Sequence, residues 1–89
     1  MPIVRFTSHL QRHVPCPPET VEAGTVRAAL EAYFLLHPGV RSYVFDEQGN
    51  VRRHVVVFVD GRQADAVSGY AEAVEATTEV FVMQALSGG

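Results

Sequence analysis

The residues of this sequence that most suggest chemistry are the last two, Gly88 and Gly89, which close the run VMQALSGG. Because glycine has no side chain, consecutive glycines can thread a narrow channel and adopt backbone angles that other residues avoid. A carboxylate on such a stem is suited to adenylation. It attacks the α-phosphate of ATP, pyrophosphate leaves, and a sulfur or nitrogen nucleophile can attack the resulting anhydride. The sequence contains no Gly-rich phosphate-binding loop, so the ATP must come with a partner enzyme.

Three further residues, His9, His13 and Cys16, are spaced like metal ligands. A helix through them could present all three to zinc, but the prolines around Cys16 disfavour a continuous helix and no fourth ligand is evident. We therefore predict no metal site. We also predict no catalytic Cys–His pair, because no acidic group that would orient the histidine is recognisable. His37, at the end of a predicted helix, is expected to meet free backbone carbonyls.

Composition and charge narrow the class of protein. With 47% hydrophobic and 19% charged residues, the 89-residue chain can form one globular domain. A formal net charge of -3 argues against a protein that binds nucleic acid through its phosphates. No apolar run approaches the roughly 18 residues of a membrane span, and the first residues lack the layout of a signal peptide. Because a single cysteine excludes an internal disulfide, we expect a cytoplasmic protein.

One helix stands out in the stretch GTVRAALEAYFLLHPG. Thr25 is a suitable N-cap, and Pro38 with Gly39 should end the helix. The apolar residues recur at the i, i+3, i+4, i+7 and i+8 positions that share one helix face: Val26, Ala29, Leu30, Tyr33 and Phe34. We expect this face to cover one side of a sheet.

Strands are predicted on both sides of this helix. The segments PIVRFTS and ETVEA are typical of a first strand and a short edge strand, with the proline-rich loop VPCPPE between them. The segment SYVFDEQGNVRRHVVVFVDGR is predicted as a strand or hairpin, with Arg52 and Arg53 on a solvated edge, and EVFVMQ as the last strand. One main helix packed on a small mixed sheet makes the fold class α+β. We expect the domain to span residues 1–84 and a flexible Gly-Gly tail to span residues 85–89.

The two strongest strands are apolar on both faces, because alternate side chains of a strand point to opposite sides of a sheet. The predicted helix can cover only one of these sides. The other side carries Val56, Phe58, Phe81 and Met83. It is either covered by the long 62–78 connection or exposed as a patch that docks onto a partner. An exposed patch could also self-associate, so the sequence leaves the oligomeric state open.

The helix, the hairpin and the last strand together resemble the MoaD/ThiS group of sulfur carriers, and MoaD-like members more than the shorter ThiS-like ones. The resemblance covers most of residues 24–61 and then residues 79–89. Its features are the Thr-Val-Arg-x-Ala-Leu helix start, the Pro-Gly-Val after the helix, the acidic-Gly hairpin before two arginines, the Val-Phe-Val-Asp-Gly strand and turn, and the terminal Gly-Gly. The resemblance implies the ubiquitin-like β-grasp fold.

In this family a ubiquitin-activating-type enzyme adenylates the last glycine, which becomes a thiocarboxylate that donates sulfur for molybdopterin, thiamin, cysteine or thiolated tRNA synthesis. By position, Gly89 would carry the sulfur and Gly88 would thread the channel, while Leu86, Ser87 and the apolar sheet face would bind partners. The implied partners are the adenylating enzyme and a sulfur-accepting synthase, such as the large subunit of molybdopterin synthase. The chain would be a protein cosubstrate, or the small subunit of that synthase, and would bind no cofactor of its own.

Two other interpretations stay open. One is a ubiquitin-like modifier whose activated tail is joined to a lysine of another protein. Because lysine is absent and the seven basic residues other than histidine are all arginines, such a modifier could not form lysine-linked chains with itself. The other is a binding module that uses the sheet face while its tail is inert.

Overall fold

The computed structural model describes residues 1–65 and 68–84. Within these residues, five strands and three helices follow one another as β1, α1, β2, α2, α3, β3, β4 and β5: Ile3–Phe6, Ser8–Gln11, Glu19–Thr20, Val26–Leu36, Pro38–Val44, Val55–Val59, Arg62–Gln63 and Glu79–Gln84. In this described part of the chain, none of the helices has both the length and the apolar character needed to cross a bilayer.

The five strands form one mixed sheet in the order β2-β1-β5-β3-β4. β1 and β5 run parallel, with Val4 opposite Val80 and Phe6 opposite Val82. The other neighbouring pairs are antiparallel. The first and last strands are therefore neighbours, although most of the chain lies between them. A sheet of this order with the main helix packed across one side is the ubiquitin-like β-grasp fold, which confirms the predicted α+β class.

The core lies between the sheet and α2. The sheet contributes the alternate, inward-pointing residues of its three longest strands, all of them buried: Val4, Phe6, Val55, Val57, Val59, Val80 and Val82. The predicted apolar face of α2 is confirmed, because each of its members is buried: Val26, Ala29, Leu30, Tyr33 and Phe34. Thr25 caps the helix as predicted, with its hydroxyl accepting a hydrogen bond from the N–H of Ala28 at 3.1 Å.

The long connection between β4 and β5 is fixed to the start of α2. The N–H of Val26 donates to the carbonyl oxygen of Glu72, and the N–H of Arg27 donates to that of Tyr70, both at 2.9 Å. These bonds pair donors that the first turn of a helix leaves free. Tyr70 also enters the core. This part of the connection therefore packs at the amino-terminal end of α2.

The segment after α2 differs from the prediction, because it forms a second helix. Pro38 follows the end of α2 but also begins a second helix, α3, because proline fits the first turn of a helix, where its missing N–H is not needed. For the segment SYVFDEQGNVRRHVVVFVDGR, the predicted strand and the hairpin at Asp60 and Gly61 are confirmed by the β3–β4 pair, but the strand expected at the start of the segment is wrong. Helix α3 takes up its first part, and an isolated bridge joins Phe45 to Val51 across the turn. Val40 and Val44 of α3 are buried, so this helix adds a second apolar cover to the core.

Replacement of Leu30 by alanine tests the assignment of the core. Leu30 has no exposed surface, so Leu30→Ala should lower the free energy of unfolding by about 2–5 kcal/mol. Leu35, on the same helix, is 85% exposed, and Leu35→Ala should change the free energy of unfolding by less than about 0.5 kcal/mol. Urea denaturation followed by circular dichroism measures both values. Equal losses in the two variants would contradict the described packing of α2.

Candidate functional site

The four residues predicted to form the second apolar face lie together on the outer side of the sheet. The register pairs Phe58 of β3 with Phe81 of β5, and Val56 with Met83. All four side chains are partly exposed, whereas the residues between them along each strand are buried in the core. We call these four residues the outer patch. The alternation of a strand thus produces a contiguous apolar surface that α2 and α3 do not cover.

An ion pair borders the outer patch towards the edge strand β2. Arg5, which lies beside Phe81 in the register of β1 and β5, contacts Glu79 at 3.0 Å. About half of each of these two side chains is exposed, at 48% and 47%. An exposed pair of this kind contributes little to stability. Its position instead gives the outer patch a polar rim, which is the usual layout of a protein-binding surface.

Strand β5 is the last described element of the chain. It lies between β1 and β3 and ends at Gln84, opposite Val55. The predicted tail residues Leu86, Ser87, Gly88 and Gly89 lie outside the described residues. The structure therefore brings the outer patch next to the end of β5. The predicted roles of the tail, and the division of the chain at residue 84, stay predictions.

A recess of about 380 Å³ lies beside the end of β5. Its lining comes from α1, from the residues on either side of α1, and from the last two residues of the strand: Thr7, Ser8, His9, Arg12, Met83 and Gln84. The hydroxyl oxygen of Thr7 is buried and has no hydrogen-bond partner among the described residues. Met83 belongs both to this recess and to the outer patch, so the two surfaces are continuous. The sequence prediction missed the recess because it did not predict α1.

The three residues with metal-like spacing do not share one environment. His9 and His13 are exposed near α1, with ring centroids 5.2 Å apart. Cys16 is buried, and burial raises the pKa of its thiol. A thiol held in its neutral form is a poor nucleophile and a poor metal ligand. Within the described residues, no group of three or more His, Cys, Asp or Glu side chains is arranged to hold a metal ion.

His37 and Tyr33 tie the end of α2 to the proline-rich loop and β2. The ring of His37 hydrogen-bonds through Nε2 to Glu19 Oε2 at 2.7 Å, so the expectation of a carbonyl partner for this side chain is wrong. The Tyr33 hydroxyl donates to the Pro17 carbonyl at 2.7 Å, and burial raises the pKa of that hydroxyl. These contacts join segments far apart in the sequence, so no local pattern could indicate them.

A cluster of two arginines, a phenylalanine and a glutamate lies between α2 and α3. The guanidinium carbons of Arg27 and Arg41 lie 4.5 and 4.9 Å from the ring centroid of Phe45. Both arginines also form ion pairs with Glu31. The hydrogen bond from Arg41 is the largest cause that lowers the pKa of Glu31 below its usual range, and the positive charges of Arg41 and Arg27 act in the same direction. Because every charge in the cluster has a partner, we assign it a structural role.

Acid titration of stability tests that role. A carboxyl whose pKa is lower in the folded than in the unfolded chain stabilises the fold above the unfolded pKa of about 4.3, and this contribution is lost as the pH falls through the folded pKa. Glu31→Gln removes the titrating group. The variant should therefore lose less unfolding free energy than the parent between pH 7 and pH 3, by up to about 1 kcal/mol.

The matched control for this titration is Glu22→Gln, because Glu22 is exposed and has no ion pair among the described residues. Its acid-induced loss should equal that of the parent. Urea denaturation at both pH values provides the comparison. If Glu31→Gln and Glu22→Gln lose the same unfolding free energy between the two pH values, the cluster does not stabilise the charged form of Glu31.

Several solved structures have the same architecture along nearly their whole length. SAMP1, the small archaeal modifier protein 1 of Haloferax volcanii, matches with a TM-score of 0.84 and 26% identity, over 99% of this chain and 98% of its own. A chain of the Amycolatopsis orientalis BexX/CysO complex matches with a TM-score of 0.82 and 18% identity, over 100% of this chain and 100% of its own. CysO of Mycobacterium tuberculosis matches with a TM-score of 0.79 and 18% identity, over 97% of this chain and 100% of its own. No protein-family model and no curated protein matches the chain.

The comparisons and the sheet order agree on the class of protein. The chain is a small ubiquitin-like β-grasp protein, similar in structure to SAMP1 and CysO. SAMP1 is by name a protein modifier, and the Amycolatopsis structure is a complex of two proteins.

Proposed function

We propose that this chain is a sulfur carrier. The carboxylate of Gly89 attacks the α-phosphate of ATP on an activating enzyme of the ubiquitin-activating type, and pyrophosphate leaves. A hydrosulfide ion from the sulfur donor then attacks the acyl carbon of the adenylate, AMP leaves, and Gly89 ends as a thiocarboxylate. A synthase takes up that sulfur, and water restores the carboxylate. The chain itself is a protein cosubstrate in the cytoplasm.

The observation that carries this proposal is the position of β5 in the β-grasp sheet. The strand ends at Gln84, five residues before Gly89 in the sequence, and it also supplies two of the four residues of the outer patch, Phe81 and Met83. One partner can therefore hold the outer patch while it receives the residues that follow Gln84. Leu86 and Ser87 would line the path between these two contacts. All nucleotide binding belongs to the enzyme, which supplies the groups that stabilise charge on the phosphates.

The resemblance to MoaD-like carriers supports a molybdopterin-synthase-type acceptor, in which this chain would act as the small subunit. Affinity purification with the intact chain as bait identifies the acceptor directly. A molybdopterin-synthase large subunit among the captured proteins is the expected result. A thiazole synthase, a cysteine synthase or a tRNA thiolase would keep the carrier function and replace the proposed pathway.

Intact-mass spectrometry tests the carrier function itself. After incubation with the activating enzyme, ATP and a sulfur donor, the mass of the chain should rise by the difference between one sulfur and one oxygen atom. The variant that lacks Gly88 and Gly89 is the control, and its mass should not change. An unchanged mass of the full chain with several enzymes of the ubiquitin-activating class would overturn the proposal. If cells that carry only the deletion variant have the same phenotype as cells that carry the parent chain, the chain is a binding module with an inert tail.

The role of the outer patch has its own test. Aromatic anchors contribute most of the binding energy in many interfaces, so Phe81→Ser should raise the KM for the chain as substrate of the activating enzyme by about tenfold or more, with little change in kcat. Leu35→Ser removes an exposed apolar side chain from α2, away from the outer patch, and should leave KM unchanged. Steady-state release of pyrophosphate measures both constants. Equal KM values for the two variants would exclude the outer patch as the docking surface.

A second candidate function is protein modification, which the likeness to SAMP1 at 26% identity favours. Both functions share the adenylation step. They differ in the nucleophile that attacks the adenylate, or that attacks a thioester formed from the adenylate on the activating enzyme. In a modifier, a lysine amine of another protein attacks, and an isopeptide bond to Gly89 forms. Tryptic digestion of cell lysates should then yield lysines that carry the carboxyl-terminal residues of this chain. Their absence, together with a thiocarboxylate on the purified chain, would leave the carrier function alone.

A further inference from the structure

The arginines of this acidic protein are unequally neutralised. Four of the seven form ion pairs with carboxylates: Arg5, Arg27, Arg41 and Arg62. Arg52 uses its Nε to donate to the carbonyl of Ser42. The side chains of Arg12 and Arg53 are exposed, and neither side chain makes an ion pair or a hydrogen bond within the described part of the chain. The positive charges of these two side chains are therefore not neutralised within the described part of the chain.

Arg12 and Arg53 lie on opposite sides of the end of β5. On one side, β1 runs beside β5 up to the pair Phe6 and Val82, and the chain then continues into α1 and Arg12, which lines the recess with Gln84. On the other side, Val55 pairs with Gln84, and Arg53 and His54 directly precede Val55. We call the set of His9, Arg12, His13, Arg53 and His54 the basic collar.

The opposite end of the same strand is acidic. Glu79 begins β5, and its N–H donates to Asp60 Oδ1 at 2.9 Å, so two carboxylates lie close together there. Glu75 is also near, because the N–H of Thr78 donates to its carbonyl at 3.1 Å. Three acidic residues thus gather near the start of β5, where Arg5 neutralises one of them, whereas arginines without carboxylate partners flank its end, although the formal net charge of the whole chain is -3. A protein with this net charge attracts an acidic ligand only through such a local concentration of cations.

We infer that the basic collar binds an acidic segment of the enzyme that receives the carboxyl-terminal residues. Two arginine side chains without partners flank the end of β5 and are complementary in charge to such a segment. Met83 joins the recess to the outer patch, so one partner can contact both surfaces. The recess of about 380 Å³, which Met83 and Gln84 line from the β5 side, can take an uncharged side chain of the same segment. This inference rests on the proposed function for the identity of the partner, but not for the preference for acidic ligands.

A peptide titration tests that preference without any enzyme. The probe is a blocked pentapeptide, Glu-Glu-Leu-Glu-Glu, added to the ¹⁵N-labelled full chain, with Gln-Gln-Leu-Gln-Gln as the uncharged control. Amide shifts should appear for Ser8, Arg12, Arg53 and Gln84, and they should weaken as salt is added, because exposed charges are screened over about 8 Å at physiological ionic strength. The glutamine peptide should cause none of these shifts.

Two double variants with the same change in net charge complete the test. Arg12→Gln/Arg53→Gln should weaken binding of the glutamate peptide by about three- to tenfold. Arg5→Gln/Arg62→Gln removes arginines that already have carboxylate partners and should weaken it much less. Equal losses in both double variants would show a general effect of net charge and overturn the basic collar. Tighter binding of a single-stranded oligonucleotide than of the peptide, or the same shifts on concentrating the protein alone, would also overturn it.

The enzyme assay separates this inference from the proposed function. With the activating enzyme, Arg12→Gln/Arg53→Gln should raise the KM for the chain and reduce its dependence on salt, whereas the other double variant should retain both. If the parent chain is never adenylated, the proposed function fails while the peptide titration still decides on the basic collar. If the parent is adenylated and the two double variants behave alike in both assays, the basic collar fails and the proposed function stands.

Discussion

The rest of the structure depends on one constraint, which is that a sheet apolar on both faces receives helices on only one of them. In β3 and β5, every second residue enters the core, and the intervening Val56, Phe58, Phe81 and Met83 stay partly exposed. Complete burial of one large apolar side chain contributes about 1.5–3 kcal/mol. Because these four side chains are already partly buried, the chain leaves only part of that hydrophobic gain unrealised on its outer side. A partner that covers this side obtains that gain as binding energy.

The parallel pairing of β1 and β5 decides where this surface meets other groups. A parallel neighbour brings the carboxyl end of β1 to the same edge as the carboxyl end of β5, so α1 begins beside Gln84. The antiparallel β3 brings its amino end to that edge, and with it Arg53 and His54. Residues from three separate parts of the sequence thus meet around the last described residue of β5. These three parts of the chain, which are α1, the start of β3 and the end of β5, are far apart in the sequence.

Local patterns predicted the parts of the fold that depend on periodicity and capping. The buried face of α2, its cap at Thr25 and the last strand Glu79–Gln84 are as expected, because each depends on neighbouring residues alone. The outer patch followed from strand alternation in the same way. Helix α3 was missed because Pro38 was interpreted as an end, although proline also suits the first turn of a new helix. The recess, the His37–Glu19 bond and the basic collar depend on long-range pairing, which periodicity does not encode.

Hydrophobic contact and charge contribute different things at this edge. An apolar patch is non-directional, so the outer patch alone could dock in several orientations, and most of these would misdirect the residues after Gln84. Charge complementarity fixes orientation and speeds encounter more than it adds affinity. Four arginines have their charges satisfied within the fold, whereas Arg12 and Arg53, on the two sides of β5, do not. A partner that satisfied both would orient the chain by the end from which its carboxyl-terminal residues leave.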